Sequence, residues 1–455
     1  MKDRPYLLAA LEDLDRRLRC SWSRLLPMTS DLQGYKEEWE SSFSGEIYPS
    51  RKDDLLRAAS AAEPLLVGDY HAVSRPQNRL GNLLNEIEWE GGMGLILELL
   101  PAPLLLPASE ILANPKLLLI DGRSVADTYK KSLSAIASRG GLVAGAWVNG
   151  NAQHRDAVAA QLWHRLNKIK DNRHWTLFFG DWHLAEKHLP KALREKGAKP
   201  TVIHQSPEPL WSRRPKDCRE SILKLNSNNW AWIHSHPLGH WAEAVQYQNA
   251  FGSSASIETA ESLCEDICEA LVKHLGLPAP SAAPGIRSSD EWPEFLASMP
   301  TWSRLPFQAN KKPEIAIYHP SNCQTWCPRT PTLNNLLESA AWAISEQNHS
   351  ETELNWVRQA HRVAFRRMLA SLFNPFLIPC SKDSLARQLF GQKEKTYLSP
   401  THSAFNYLMV ENLGHHAGAE ISRESELSIS GIKKFLEEPS GFVPWASLVA
   451  TIRAA

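Results

Sequence analysis

LLVGDYHAVSRPQNRLGNLLNEI, residues 65–87, reads as a strand, a sharp turn and a helix in immediate succession. LLVG is apolar without alternation, which suits a strand buried on both faces of a parallel sheet. Ser74 to Gln77 has the pattern of a capping box with Pro76 in the first turn, and Leu80, Leu83, Leu84 and Ile87 follow on one helical face. Working outward, the same texture returns. GLILELL (94–100), KLLLID (116–121), GLVAGAWV (141–148), TLFFGD (176–181) and PTVIHQ (200–205) are further apolar runs. Residues 123–138 and 152–170 read as helices between them. Strand–helix–strand repetition predicts βαβ units, hence an α/β domain with a mostly parallel sheet and helices on both faces.

A tetrapeptide pattern occurs twice at strand ends. Gly68-Asp69-Tyr70-His71 closes LLVG, and Gly180-Asp181-Trp182-His183 closes the run in LFFGDWHLAEKHLP (177–190). In an open α/β sheet such junctions lie at the carboxyl edge, where ligands bind. Glycine lets the backbone turn and approach a ligand closely. An acid and a histidine two residues apart project the same way if the stretch is extended. A third strand, GLILELL, carries Glu98 inside an apolar run. A buried carboxylate needs a cation, a histidine or an arginine beside it. Two histidines with carboxylates suit a divalent transition metal with open positions, and a neutral imidazole can instead ligate haem iron or act as a base. The plainer alternative makes Asp69 and Asp181 helix N-caps, with His71 and His183 in the first turn.

On these residues the chain resembles the ChaN/Tiki superfamily, in which paired G-x-x-H motifs at two strand ends flank a strand-borne glutamate. VGDYHAVSRPQNRL, LFFGDWHLAEKHLPKAL and the WIHSHPLGHW region (232–241) carry the likeness, over about residues 61–250. The resemblance implies two activities, haem or iron binding as the expected one and metal-dependent hydrolysis as its alternative. One is a ChaN-like haem- or iron-binding protein with His71 and His183 at the iron, Tyr70 and Trp182 against the porphyrin, and Arg75 or Arg79 near an anionic group. The other is a Tiki-like metal-dependent hydrolase acting on a peptide or small molecule. There His71, His183 and Glu98, with Asp69 and Asp181, would hold a divalent ion. A non-catalytic scaffold that uses its C-terminal helices to bind a partner is the third reading. Two departures from the family stand out: no export signal is read, and a long helical region follows the resembling segment.

Lesser candidates remain. His234, His236 and His240 in HSHPLGH could line a pocket, and His188 is an outer neighbour of His183. Cys264 and Cys268, and Cys323 and Cys327, repeat a four-residue spacing, which reads more simply as small buried hydrophobes than as a zinc site. Phosphate-loop, G-x-G-x-x-G, G-x-S-x-G and H-E-x-x-H patterns are all missing.

The chain has 455 residues, too many for one ordinary domain. Fifty basic residues balance fifty acidic ones, which argues against a nucleic-acid-binding surface. The 17 tryptophans read mainly as core filler. Residues 1–60 show helical spacing at Leu7, Leu8, Leu11, Leu14 and Leu18, and LLAAL is too short for a signal peptide. No window is apolar enough for a membrane span, and seven thinly spread cysteines do not form a disulfide framework, so a cytoplasmic protein is expected. The expected organisation is 1–60 helical, 61–276 α/β with a helix over 254–276, 277–293 linker, and 294–455 mainly helical through 330–375 and 401–452.

Overall fold

The computed structural model describes residues 9–17, 20, 30–71, 73–89, 91–169, 173–213, 220–235, 239–240, 256–299, 315–319, 322–327, 331–346, 356–373, 403–423 and 428–437. The chain divides into two compact units, residues 26–240 and residues 1–25 together with 241–455.

Residues 26–240 hold a nine-stranded sheet. Its strands are β1 (Tyr48–Ser50), β2 (Leu65–Asp69), β3 (Met93–Pro101), β4 (Leu105–Pro107), β5 (Leu142–Trp147), β6 (His174–Gly180), β7 (Thr201–Gln205), β8 (Ser221–Lys224) and β9 (Asn229–Ile233). Their order is β1-β8-β9-β7-β2-β6-β3-β5-β4. The six central strands, β9 to β5, run parallel, while β8 and β4 are antiparallel to their inner neighbours. The unbroken apolar runs are explained by burial on both faces. Leu65, Val67, Leu95, Leu97, Phe178 and Ile203 pack on one side with Leu80, Leu83 and Leu84 of helix Ser74–Glu86 and Leu133 and Ile136 of helix Lys130–Ala137. Leu66, Ile96, Leu177, Phe179 and Val202 pack on the other with Trp163 of helix Ala152–Asn167 and Leu189 and Leu193 of helix Leu189–Arg194.

Several local expectations are corrected. KLLLID is not a strand: Leu119 N–H bonds Arg123 O around Gly122 at φ 81°, and Leu118 and Ile120 are exposed. The edge beside β5 is taken instead by β4, a three-residue strand with no sequence signal of its own. The 123–138 helix is broken at Tyr129 into Val125–Thr128 and Lys130–Ala137. Helix Ser74–Glu86 begins with Val73 at the N-cap, so Ser74 lies inside the helix rather than capping it. Residues 1–60 contain β1 as well as helices Ser30–Ser41 and Lys52–Ser60.

In the other unit, helix Ser256–Leu275 agrees with the expected 254–276. The segment 277–293 is more than a linker, since β10 (Gly285–Arg287) lies within it and pairs with β12 (Gln324–Trp326), which also pairs with β11 (Ile317–Tyr318). Helices Leu333–Ile344, Trp356–Phe373, Ser403–Arg423 and Ile429–Glu437 make this part mainly helical. Gly414 and Gly418 allow close helix packing, because a Cβ there would lie 2.4 Å from Val363 Cβ and 2.3 Å from Ala364 O. Within this unit Arg17 pairs with Asp266 at 2.7 Å, and Asp13 lies 3.0 Å from His274 Nε2. Leu7, Leu8, Leu18, His236 and the proline-rich 374–379 and 439–444 lie outside the described residues. Among the described residues no helix is long and apolar enough to cross a membrane.

Candidate active site

The sheet order decides which strand ends meet. β6 lies between β2 and β3, with Asp69 opposite Gly180 and Leu97 opposite Phe178. Asp69, Gly180 and Glu98 therefore occupy neighbouring positions at the carboxyl edge. Side chains alternate across β3, so Glu98 points to the same face as Ile96, above the layer formed by Leu66, Ile96 and Leu177.

Glu98 is buried and stands between two imidazoles. His71 Nε2 is 3.4 Å from its Oε2, and His183 Nε2 is 3.2 Å from its Oε1. The Gly180 backbone N–H donates to Oε2 at 2.7 Å. Each imidazole is held from behind by another carboxylate. His71 Nδ1–H donates to Asp69 Oδ2 at 2.9 Å, and His183 Nδ1–H donates to Asp156 Oδ1 at 2.7 Å. A carboxylate only accepts, so both Nδ1 atoms carry a proton and both Nε2 atoms face Glu98. The result is one chain of groups: Asp69, His71, Glu98, His183, Asp156.

Electrostatics follow from that arrangement. Burial opposes charge on the His71 ring, but Glu98 and Asp69 outweigh it and push its pKa up to about 10. For His183 burial is likewise outweighed by Glu98 and Asp156, giving about 9. Burial works against the Glu98 carboxylate, yet His183 and His71 hold it well below the usual range. Arg155 Nη1 adds a further cation 3.5 Å from Glu98 Oε1, its guanidinium 4.8 Å from the centre of the Trp147 ring.

The two motif glycines are required by close approach rather than by unusual φ. A Cβ on Gly180 would lie 3.1 Å from His71 Nε2 and 3.3 Å from Glu98 Oε2. One on Gly68 would lie 1.7 Å from Asp181 Oδ1. Neither site accommodates a side chain without displacing a polar group.

The two copies of the motif are not equivalent. After β2 the acid and the histidine do meet, as Asp69 and His71. After β6 the backbone enters the 3-10 turn Asp181–Leu184, and the two side chains part. Asp181 Oδ2 accepts from Trp39 Nε1 at 2.8 Å and from His204 Nδ1 at 3.0 Å. Asp181 is thus a structural acceptor rather than a companion of His183. Neither Asp69 nor Asp181 caps a helix, because Val73 and Gly180 occupy the cap positions. Tyr70 turns from His71 and stacks on His240 at 3.8 Å. Trp182 is half-buried, 6.4 Å from Trp39 between ring centres. Arg75 faces His234 and His240 electrostatically, while Arg79 pairs with Glu220 and lies over Trp232. His234 Nε2 donates to Gln205 Oε1 at 2.9 Å, and His240 Nε2 donates to Ser235 Oγ at 3.0 Å, whose own proton goes to Ser206 Oγ, so these two imidazoles are held away from Glu98.

Three neighbours of Glu98 and its histidines carry no motif in sequence: Arg155, Asp156 and Tyr35. Asp156 shares the buried face of its helix with Ala159, Ala160 and Trp163, and an acid on an apolar helical face was the available signal. Tyr35 reaches both Asp156 and His183 from helix Ser30–Ser41, outside the resembling segment. Cys264, Cys268, Cys323 and Cys327 are buried free thiols. Among the described residues no group of three or more His, Cys, Asp or Glu presents a ready metal cage. Glu98 itself fills the space between the two Nε2 atoms. No family model, no curated protein and no solved structure matches the chain.

Proposed function

We propose that the Glu98 centre is a hydrolytic site that works with a divalent cation, acting on a peptide or other carbonyl substrate as the ChaN/Tiki resemblance implies. One observation carries this reading: Glu98 lies between two imidazoles whose Nδ1 atoms are each tied to a carboxylate. Carboxylate-backed histidines presenting Nε2 are the usual companions of a catalytic metal, since the backing fixes the tautomer and raises ligand basicity. The donor types fit, although among the described residues they form no ready cage. His71 Nε2, His183 Nε2 and Glu98 would hold the ion once the Glu98 carboxylate moves from between the two rings, and Asp69 Oδ1 is a buried oxygen with no hydrogen-bond partner. Charge fits as well. With both rings protonated, His71, His183 and Arg155 balance Asp69, Glu98 and Asp156, and exchanging two protons for one divalent ion preserves that balance.

The bound ion would supply electrophilic activation of water and of the carbonyl. The protein's own groups do the rest. Asp69 and Asp156 keep the imidazoles oriented. Gly180 N–H holds one Glu98 oxygen, which leaves the other as the one that would meet the ion. Arg155, 19% exposed over Trp147, is a cation beside Glu98 that would be available to a polarised substrate oxygen.

Haem binding is the second reading, and one observation favours it: the His71 side chain is 31% exposed. Ligation of one iron by both rings would require Glu98 to leave the space between them, so this reading rests on His71 alone.

The test is a pair of titrations of the purified chain, with Co²⁺ and with haemin, followed by absorbance in wild type and in Glu98→Gln. Saturable Co²⁺ binding weakened in the variant, together with chelator-sensitive hydrolysis of an ester or peptide panel, supports the proposal. A saturable Soret band lost in His71→Ala, without Co²⁺ binding, replaces it with haem ligation.

A further inference from the structure

Helix Ser30–Ser41 lies ahead of the segment that carries the family resemblance, yet three of its side chains reach the loop that follows β6. Tyr35 Oη donates to Asp156 Oδ2 at 2.7 Å and lies 2.8 Å from His183 Nδ1. Because its proton is given to the carboxylate, the phenol oxygen accepts from the imidazole N–H. His183 Nδ1–H is therefore shared between Asp156 and Tyr35. One turn further, Trp39 Nε1 donates to Asp181 Oδ2. Between them Glu38 Oε2 accepts from His188 Nε2 at 2.8 Å, while His188 Nδ1 donates to Trp182 O at 2.7 Å. The His188 ring lies flat on Tyr35, 3.5 Å between centres and 6° from parallel.

These contacts fall on residues 181, 182 and 183 of the turn that presents His183 and on His188 just beyond it. His71 is held differently: among the described residues its ring is backed by Asp69 from its own strand end, and Gln77 Nε2 of the helix that follows donates to its carbonyl at 3.2 Å. The two imidazoles thus differ in how they are held: His71 locally, His183 by a separate helix.

We infer that helix Ser30–Ser41 is a working part of the Glu98 centre and that Tyr35 is a positioning residue for His183, acting through its shared hydrogen bonds to Asp156 and the imidazole. Burial and then Asp156 keep the phenol protonated, so its donor is always directed at the carboxylate. The functional consequence for cation affinity rests on the hydrolytic reading above; the positioning itself does not.

The experiment uses the full chain, wild type and Tyr35→Phe, with Tyr48→Phe as a control at an exposed phenol. Imidazole ¹⁵N signals are recorded, with His183 and His71 assigned from His183→Gln and His71→Gln, and Co²⁺ is titrated by its visible spectrum. Removing the Tyr35 hydroxyl is expected to shift the His183 signals, to leave those of His71 in place, and to weaken Co²⁺ about tenfold or more, the usual effect of losing a ligand's backing group. Tyr48→Phe is expected to match wild type in both. Unchanged His183 signals in Tyr35→Phe overturn the inference, whatever happens with cobalt. If wild type binds no Co²⁺ while the His183 signals still shift, the positioning stands and the hydrolytic reading fails.

Discussion

Asp156 and His183 are 2.7 Å apart between Oδ1 and Nδ1, although one belongs to the helix after β5 and the other to the turn after β6. The pair mirrors Asp69 and His71 on the far side of Glu98, but is assembled from two elements rather than one. Glu98 is thereby approached by two imidazole Nε2 atoms, each ring held at Nδ1 by another carboxylate.

Glu98→Gln keeps the shape and removes the charge that raises both histidines. The pKa of His71, about 10, is expected to fall by roughly one unit or more, and that of His183 with it. NMR titration of the assigned imidazoles measures this, and unchanged values would remove Glu98 from the centre of the network.

Asp181 was expected among the metal ligands, and its contacts to Trp39 and His204 assign it a structural job instead. Asp181→Asn is expected to lower stability by about 1–3 kcal/mol, as for a buried partner lost, and its effect on Co²⁺ affinity, exerted only through the turn that carries His183, is expected to stay well below that of His183→Gln. Loss of cobalt binding in Asp181→Asn at intact fold would restore Asp181 as a ligand.

The motif glycines separate two kinds of constraint. Gly68→Ala places a methyl 1.7 Å from Asp181 Oδ1, and overpacking of this kind costs about 1–3 kcal/mol. Gly180→Ala meets His71 and Glu98 at 3.1–3.3 Å, a few tenths of an ångström too close, so the larger effect is expected on cation affinity. Thermal melts beside cobalt titrations distinguish the two, and equal loss of stability in both variants contradicts the assignment.

In the helical unit Arg366 Nη2 bonds Glu411 Oε2 at 2.8 Å. Burial opposes the Glu411 carboxylate, and Arg366 and His415 bring its pKa down from 4.5 to about 2. A depressed acid contributes stability above its unfolded pKa and loses it as pH falls through the folded one. About 3 kcal/mol is therefore present above pH ~4.5 and disappears toward pH ~2. Denaturant unfolding of wild type and Glu411→Gln between pH 6 and 2 should converge at the acid end. Curves that stay parallel would show that the pair adds nothing through ionisation.

What was legible in sequence is local. The apolar runs at 65–68, 94–100, 141–148, 176–181 and 200–205 coincide with strands because burial on both faces leaves no polar alternation to hide them. The repeated Gly-Asp-aromatic-His did mark the carboxyl edge, and Glu98 stood out as an acid in an apolar strand. KLLLID misled because composition alone does not tell a strand from an apolar loop with exposed Leu118 and Ile120. β4 and β1 were invisible because three residues are too few to show a period.

The sequence by itself determined the α/β character and marked His71, Glu98 and His183 as candidates at strand ends, since apolar runs and turn residues act over a few neighbours. Only the tertiary structure decided that β6 lies between β2 and β3, that Asp181 turns away while His183 turns in, and that Tyr35 and Asp156 join the cluster around Glu98. Those outcomes depend on side chains up to 148 residues apart meeting across the sheet. The order of strands and the docking of helices set such meetings, and no local pattern encodes them.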